Sequence, residues 1–464
     1  MHVLFCIAPF AGHVNPPLAV VAELAGRGHR VSFATTDRFA AAVSAAGARP
    51  VRYPSPSARP GLPGPPVPPG LPGPPAPPGP SVLPGPSVPP GPPVPPGLSG
   101  LSGPPAPPAR PASAVPAPAA VQAGPHDLSQ SVAGQLRELS AVLPALAAEL
   151  DADAPDLVIC DPMCWAGRAL AGRWQVPAVH SITTMIGSAR WSLGPIAETV
   201  SPADTRLPRL LAAVSAVLAG HGTGLTAGDL LGTDGGLPVI AYHPRAFEAS
   251  DERFGPDVNF VGPCLPGRPT GSGRPGHPAA WAPPATGPVV LVSLGTVFNR
   301  QPEVFRRCID ALAGLSCHVI AALGGMDAAM LGALPPNAEA HEYLPLQEVL
   351  CHADVFVGHA GMTSLMEALS FGVPVAALPQ IAEQRLNAMR LADLGLGICL
   401  PAARQTPDGL RSAVTALLTD QRVRSRLDWM RGEIGRAPGA ARAADVIAGT
   451  RGLTAASSGS TDVH

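Results

Sequence analysis

Lysine is absent from all 464 residues, so the 31 basic side chains are all arginine and no lysine can serve in catalysis. They face 33 acidic side chains, for a net charge of −2. That balance gives no support to a nucleic-acid partner or an anionic membrane surface. Long apolar runs are missing too: none approaches the ~20 residues of a membrane span. The N-terminal run His2 to Ala8 has neither a basic flank nor a small-residue cleavage site. It reads as a strand and not as a signal peptide. A cytoplasmic protein without a stable membrane anchor is the expectation. The eight cysteines form no C-x-x-C pair and no zinc-ribbon spacing. In a chain this long they read as reduced, mostly buried thiols.

What remains is a chain rich in apolar residues, 46% of the total, and longer than one core usually supports. Two domains are expected, and the pattern starts twice. His2 to Ala8 reads as a strand, Pro9 to Asn15 as a loop, Pro16 to Arg27 as a helix closed by Gly28, and Arg30 to Thr35 as a second strand. Leu157 to Cys160, a helix around Ala166 to Arg173, and Ala178 to Ile182 continue the alternation. It resumes with strands at Val289 to Ser293, His318 to Leu323, Val355 to Gly358 and Val373 to Ala377. Helices at Glu303 to Leu312, Thr363 to Leu369 and Gln384 to Leu394 fall between or after them. Alternating β and α segments predict parallel sheets. The fold class is therefore α/β: two doubly wound, Rossmann-like domains facing a cleft, with a disordered Pro-rich insertion. Residues 1–54 and 126–262 form the first domain, 55–125 the insertion, and 263–287 a Pro/Gly-rich linker. Residues 288–452 form the second domain, and 453–464 a disordered tail. In such sheets ligands bind outside the carboxyl ends of the strands.

The insertion has its own composition. Thirty of the 61 prolines lie between Pro54 and Pro125, and Gly61 to Pro108 is a triplet repeat. Gly opens ten of the sixteen triplets, and Val or Ala opens the other six. A collagen helix needs Gly at every third place, so collagen is excluded and a polyproline II or disordered segment is expected.

The chemistry is densest between Tyr343 and Gln384. A strand ends at Gly358, and His359, Gly361, Thr363 and Ser364 stand at the following helix start. Free N–H groups and the helix dipole make that place an anion site. Gly361 allows close backbone approach. Thr363 and Ser364 supply hydroxyls, although either also suits a simple cap. Glu367 lies one turn on, placed to accept from a sugar diol. Glu383 and Gln384 open the next helix on the same side of the sheet. This order resembles the donor signature of the GT-B nucleotide-sugar glycosyltransferases, above all the bacterial macrolide and natural-product branch. That signature runs from an aromatic residue and Pro through His-x-Gly-x-[Asn/Thr/Gly]-Ser-x-x-Glu to Pro-x-x-x-[Asp/Glu]-Gln.

The resemblance implies a role for each position. Tyr343 stacks on the base, where Trp is commoner, and Leu344 bonds the base through its backbone. His359 contacts the α-phosphate, while Gly361, Met362, Thr363 and Ser364 serve the diphosphate. Glu367 holds the ribose, and Glu383 and Gln384 hold sugar hydroxyls. Ser293 and Thr296 reach the phosphates from the opposite loop. The family often has Gln three places after the aromatic residue; here Leu346 stands there and Gln347 follows.

His13 lies in Gly12-His13-Val14-Asn15-Pro16, after the first strand. A histidine titrates near neutrality and suits general-base work, but a loop histidine is also an ordinary structural residue. The resemblance makes His13 the base that deprotonates the acceptor and gives Asp161 the part of orienting it. By itself, Asp161 before Pro162 is equally a turn residue. Asp151-Ala152-Asp153 has the form of a metal-binding D-x-D, but it precedes a strand and reads as a solvated turn. No metal and no cofactor are expected. The nucleotide sugar, a UDP- or dTDP-sugar, is a co-substrate. Phe10, Met163, Trp165, Met185 and Trp191 are candidates for an apolar acceptor pocket, and core packing explains each as well. The implied acceptor is a small lipophilic hydroxylated molecule: a macrolide, polyketide or aromatic aglycone. The competing readings are a nucleotide-sugar epimerase or hydrolase on the same fold, and a non-catalytic binding paralogue.

Overall fold

A computed structural model describes residues 1–56, 125–186, 206–231, 236–248, 254–265, 281, 287–295 and 299–450. Nearly all of the Pro-rich insertion, most of the linker and the tail lie outside the described residues, as do Thr296 and Trp191.

The first unit is built on seven strands: β1 (His2–Cys6), β2 (Arg30–Thr35), β3 (Arg49–Arg52), β4 (Leu157–Cys160), β5 (Ala178–Ile182), β6 (Val239–Ala241) and β7 (Val258–Phe260). They lie in the order β3-β2-β1-β4-β5-β6-β7, and every pair is parallel. The central strands are buried on both faces, which is why they read as unbroken apolar runs. Leu4, Cys6, Val158 and Cys160 enter one core. Val3, Phe5, Leu157 and Ile159 enter the other. The second core includes the stacked rings of Phe5 and Phe33, 5.6 Å apart. Each such fully buried side chain contributes about 1.5–3 kcal/mol.

The second unit has six strands: β8 (Val289–Ser293), β9 (His318–Ala322), β10 (Ala338–His341), β11 (Val355–Gly358), β12 (Val375–Ala377) and β13 (Gly397–Cys399). Their order is β10-β9-β8-β11-β12-β13, again all parallel. In both sheets the chain winds outward one way and then restarts beside its first strand. The switch points therefore fall between β1 and β4 and between β8 and β11. Those crevices are where doubly wound sheets take ligands.

Two expectations change. Residues 9–15 are not a loop. Phe10 is extended, and the helix Ala11–Gly26 begins at once, with Pro16 and Pro17 inside it. A proline pair looks like a helix start because its fixed φ suits the first turn. Here the turn before it is already helical: both His13 and Val14 donate their N–H to the Phe10 carbonyl at 2.9 Å. The second change concerns residues 288–452, expected as one domain. The last helix, Gly439–Gly449, returns to the first unit and buries Ala443, Ala444 and Ile447 beside Val20 and Val21. Arg27 bonds Asp445 and the Ala441 carbonyl there.

The units meet along named contacts. Arg390 donates to the Phe247 carbonyl at 2.9 Å and to those of Ala246 and Glu248. Met185 and Phe247 of the first unit are buried in a core of the second. Trp281, in the linker, is pinned to the second unit by its indole N–H, 2.5 Å from Glu339 Oε1. Among the described residues no helix is long and apolar enough to cross a membrane.

Candidate active site

The three loops at the first switch point follow β1, β4 and β5, which are neighbours. His13 sits in the first turn of the helix after β1, and Asp161 directly follows β4. Their side chains meet, with Nδ1 of His13 2.6 Å from Oδ2 of Asp161. A carboxylate only accepts, so Nδ1 carries the proton and Nε2 is left as the basic atom. Asp161 is 3% exposed, and its other oxygen accepts the Met163 N–H at 2.8 Å. It is thus both the turn residue and the partner of His13. Thr183, after β5, brings Oγ1 to 3.2 Å from the same Nδ1. Burial alone lowers the His13 pKa, but the charge and hydrogen bond of Asp161, helped by Glu383, outweigh it and raise the pKa.

At the second switch point the loops follow β8, β11 and β12. His359 comes straight after β11 and lies against Gly295 and Gly361. A Cβ at Gly295 falls 2.7 Å from His359 Cε1, and one at Gly361 falls 2.6 Å from Nε2. Both places demand glycine, and at Gly295 the φ of +69° adds a second reason. Burial, only partly offset by the Ser293 backbone, takes the His359 pKa down to about 4. His359 is therefore neutral at physiological pH. Its buried Nδ1 has no partner among the described residues.

The helix Met362–Phe371 starts here, with Gly361 as its N-cap. Its first N–H groups, on Met362, Thr363 and Ser364, have no carbonyl within the helix. Ser293 is nearly buried and accepts the Gly295 N–H at 3.3 Å. Tyr343 and Leu344 follow the edge strand β10, Tyr343 half-buried and Leu344 buried. One turn into the helix, burial lifts the Glu367 pKa to about 7 against a lowering by Gln347. Gln347 Nε2 donates to Glu367 Oε1 at 3.2 Å.

The helix Ala382–Asp393 carries the rest. Glu383 is held by Asn387 and by Thr184 of the first unit, through hydrogen bonds of 2.6 and 3.1 Å to Oε1. Burial raises its pKa, against those bonds and His13. Gln384 is turned inward instead. Its Oε1 accepts the Gln380 and Ile381 N–H groups at 2.9 and 3.3 Å, which caps its own helix. The two sites touch: Thr363 Oγ1 donates to the Gly12 carbonyl at 2.9 Å. Pro16 explains why that carbonyl is available. It has no N–H to bond residue 12, four places earlier.

Sequence reasoning did not single out Thr183, Thr184, Asn387 or Arg390, and it treated Gln347 only as a departure from the family pattern. Thr183 and Thr184 directly follow a strand, the place where ligand-facing residues sit. Asn387 and Arg390 stand four and seven residues after Glu383, on the same helical face. The acceptor candidates separate. Phe10 and Met163 line a cavity of about 180 Å³ together with Pro9, Gln135 and Glu138. Phe10 packs edge-on to His13, ring centroids 5.9 Å apart. Trp165 instead belongs to the first unit's core, and Met185 to the buried contact between units. The D-x-D acids are engaged elsewhere: Asp151 with Arg173 and Trp174, Asp153 with Arg30.

Known proteins resemble this chain along nearly its whole length. The family of the erythromycin biosynthesis protein CIII-like, C-terminal domain, matches residues 306–448. A demethyllactenocin mycarosyltransferase of Streptomyces fradiae is 34% identical over 452 residues, 97% of this chain and 86% of that protein. An oleandomycin glycosyltransferase of Streptomyces antibioticus is 32% identical over 453 residues, 96% of this chain and 89% of that protein. The crystal structure of the calicheamicin glycosyltransferase CalG4 superposes with a TM-score of 0.70 at 32% identity, covering 98% of this chain and 99% of that one.

Proposed function

The chain belongs to the natural-product glycosyltransferases of the GT-B fold, enzymes that move a sugar from a nucleotide sugar to an aglycone, and from that premise we propose an inverting, metal-independent transfer with His13 as the base. His13 Nε2 takes the proton of an acceptor hydroxyl. The oxygen attacks the anomeric carbon from the face opposite the diphosphate, the bond to the diphosphate breaks, and the configuration inverts. Asp161 keeps the imidazole in the required tautomer and stabilises the imidazolium that forms. The charge growing on the leaving diphosphate is met by the start of the helix Met362–Phe371 and by the Ser364 hydroxyl. Neutral His359 donates to the same group. No cofactor takes part.

The donor is a UDP- or dTDP-sugar. Tyr343 stacks on its base, Leu344 meets the base edge, and Glu367 with Gln347 takes the ribose diol. Glu383 receives a sugar hydroxyl. The acceptor is a lipophilic hydroxylated molecule, with a macrolide, polyketide or aromatic aglycone as the class. It enters beside Phe10 and Met163.

The observation that carries this reading is the 2.6 Å pairing of His13 with buried Asp161, one hydrogen bond from the donor helix. A binding paralogue has no use for a base held in that tautomer. The test is a panel of UDP- and dTDP-sugars with lipophilic acceptors, following melting temperature, product and anomeric configuration. Expected are donor-dependent stabilisation, transfer, and a product inverted relative to the donor. A retained configuration would overturn the mechanism. Stabilisation without transfer to any acceptor would favour the binding paralogue.

A further inference from the structure

Glu383, Asn387 and Arg390 occupy one face of the helix Ala382–Asp393, and that face looks toward the first unit. Asn387 is the deepest of the three, with no exposed surface. Its amide nitrogen donates twice: to Glu383 Oε1 at 2.6 Å and to the Ala360 carbonyl at 3.0 Å. Ala360 is itself unusual. It lies between His359 and Gly361 with φ at +64°, one of three described non-glycine residues in the left-handed region. Its side chain is fully buried. L-residues adopt that conformation only where neighbours impose it.

We propose that Asn387 is a positioning residue that fixes the phosphate-binding turn and the sugar-facing carboxylate to each other. The proposal rests on the donor site described above. One amide group uses its two hydrogens on two acceptors that belong to different parts of the ligand site. The bond to Ala360 holds the left-handed turn that aims the His359 ring and the Gly361–Met362 backbone. The bond to Glu383 fixes one carboxylate oxygen and leaves the other for a sugar hydroxyl. Only an amide satisfies this arrangement. A carboxylate at position 387 would point acceptors at two acceptors, and an alanine would leave the Ala360 carbonyl buried without its donor.

The two bonds are separable, because glycine takes φ above zero without help. In Asn387→Ala the turn loses its restraint and Glu383 loses its partner. In Asn387→Ala with Ala360→Gly, the turn recovers and Glu383 does not. Binding of UDP and dTDP without a sugar reads the first effect; binding and turnover of the nucleotide sugar read both. For Asn387→Ala, nucleoside diphosphate affinity falls about tenfold, and kcat/KM for the nucleotide sugar falls further. Adding Ala360→Gly restores most of the diphosphate affinity while kcat/KM stays low.

Titration of the Glu383 carboxyl, followed by NMR, gives a second readout. Asn387 lowers the proton affinity of Glu383, so its loss raises the Glu383 pKa. Asn387→Asp, nearly identical in shape, must be at least as damaging as Asn387→Ala; if the alanine variant fails to fold, the aspartate variant and its Glu383 titration carry the test. Unchanged diphosphate affinity and unchanged kcat/KM in a folded Asn387 variant would overturn the proposal. So would a defect that Ala360→Gly does not relieve in the sugar-free measurement. If the unaltered protein binds neither nucleotide, the donor-site reading fails, and that outcome is distinct from the other two.

Discussion

The two halves of the active site are in different states of completion. The atoms that position the His13 ring already have partners. Nδ1 is bonded, both Asp161 oxygens are taken, and the ring is wedged against Phe10. Around His359 the set is less complete: its buried Nδ1 has no partner among the described residues, and burial holds Glu367 at a pKa of about 7. Buried polar groups without partners cost free energy. The first half is preorganised for one proton transfer, and such a site needs no ligand to finish it. The second half is short of hydrogen bonds that a diphosphate and a ribose can supply. A nucleotide should therefore stabilise the second unit strongly, whereas an acceptor has less to repair in the first.

The largest break in this comparison comes from the finished half. His13→Ala removes the base and lowers kcat by about 10³-fold, within the usual range for general-base catalysis, while nucleoside diphosphate affinity is unchanged. A comparable loss of affinity, measured by calorimetry, would mean that His13 belongs to the donor site as well. Asp161→Asn lowers kcat by about 10²–10⁴-fold because the tautomer is no longer imposed. It also changes the pH profile. The Asp161 charge raises the His13 pKa, so its loss lowers that pKa and moves the acid limb to lower pH. An acid limb that stays in place would sever the link between the two residues.

The unfinished half predicts a trade-off. The Glu367 pKa is raised to about 7 in the folded protein, above the ordinary glutamate value, so folding favours its protonated form. The stabilising contribution is complete below the unfolded pKa and is lost as pH rises through about 7. Glu367→Gln, which resembles the protonated acid, should melt higher than the unaltered protein at about pH 8, by on the order of 2 kcal/mol, and no higher at about pH 4. The same variant should bind UDP or dTDP about three- to tenfold more weakly at about pH 8, because an amide accepts less well from two ribose hydroxyls. Affinity of the unaltered protein should fall as pH drops through about 7, and the variant should be flat there. A variant that neither melts higher nor binds more weakly would show that Glu367 is not held in this state.

The unfinished half was also the more legible in the sequence. Strand, tight turn, helix start and Glu367 fall within a dozen residues, so local spacing and chemistry report them together. The strand alternation was legible for the same reason, since strands buried on both faces are continuous apolar runs. What the sequence hid depends on contacts between distant segments. Nothing local tells that Trp165 fills a core while Met163, two residues earlier, lines a cavity. Met185 is buried by the other unit, and the helix Gly439–Gly449 is recruited by a surface more than 400 residues away. The start of the helix Ala11–Gly26 was obscured by a real signal, the proline pair, which usually marks a first turn and here lies beyond it.

The smallest effect tests how the halves are joined. Pro16 deprives the Gly12 carbonyl of its helical donor, and Thr363 Oγ1 fills the place from the other unit. Thr363→Val keeps the shape of the side chain and removes that donor, so without nucleotide it should cost about 1 kcal/mol of stability. Pro16→Ala returns an N–H to the helix at the same carbonyl. In that background Thr363→Val has less to remove, because Gly12 is already satisfied. A double-mutant cycle on the nucleotide-free protein should therefore give a coupling of about 0.5–1 kcal/mol, with the second substitution milder after the first. Strict additivity would mean that the Thr363 hydroxyl serves the diphosphate alone and that the two halves are held together by Arg390 and the Thr184–Glu383 bond.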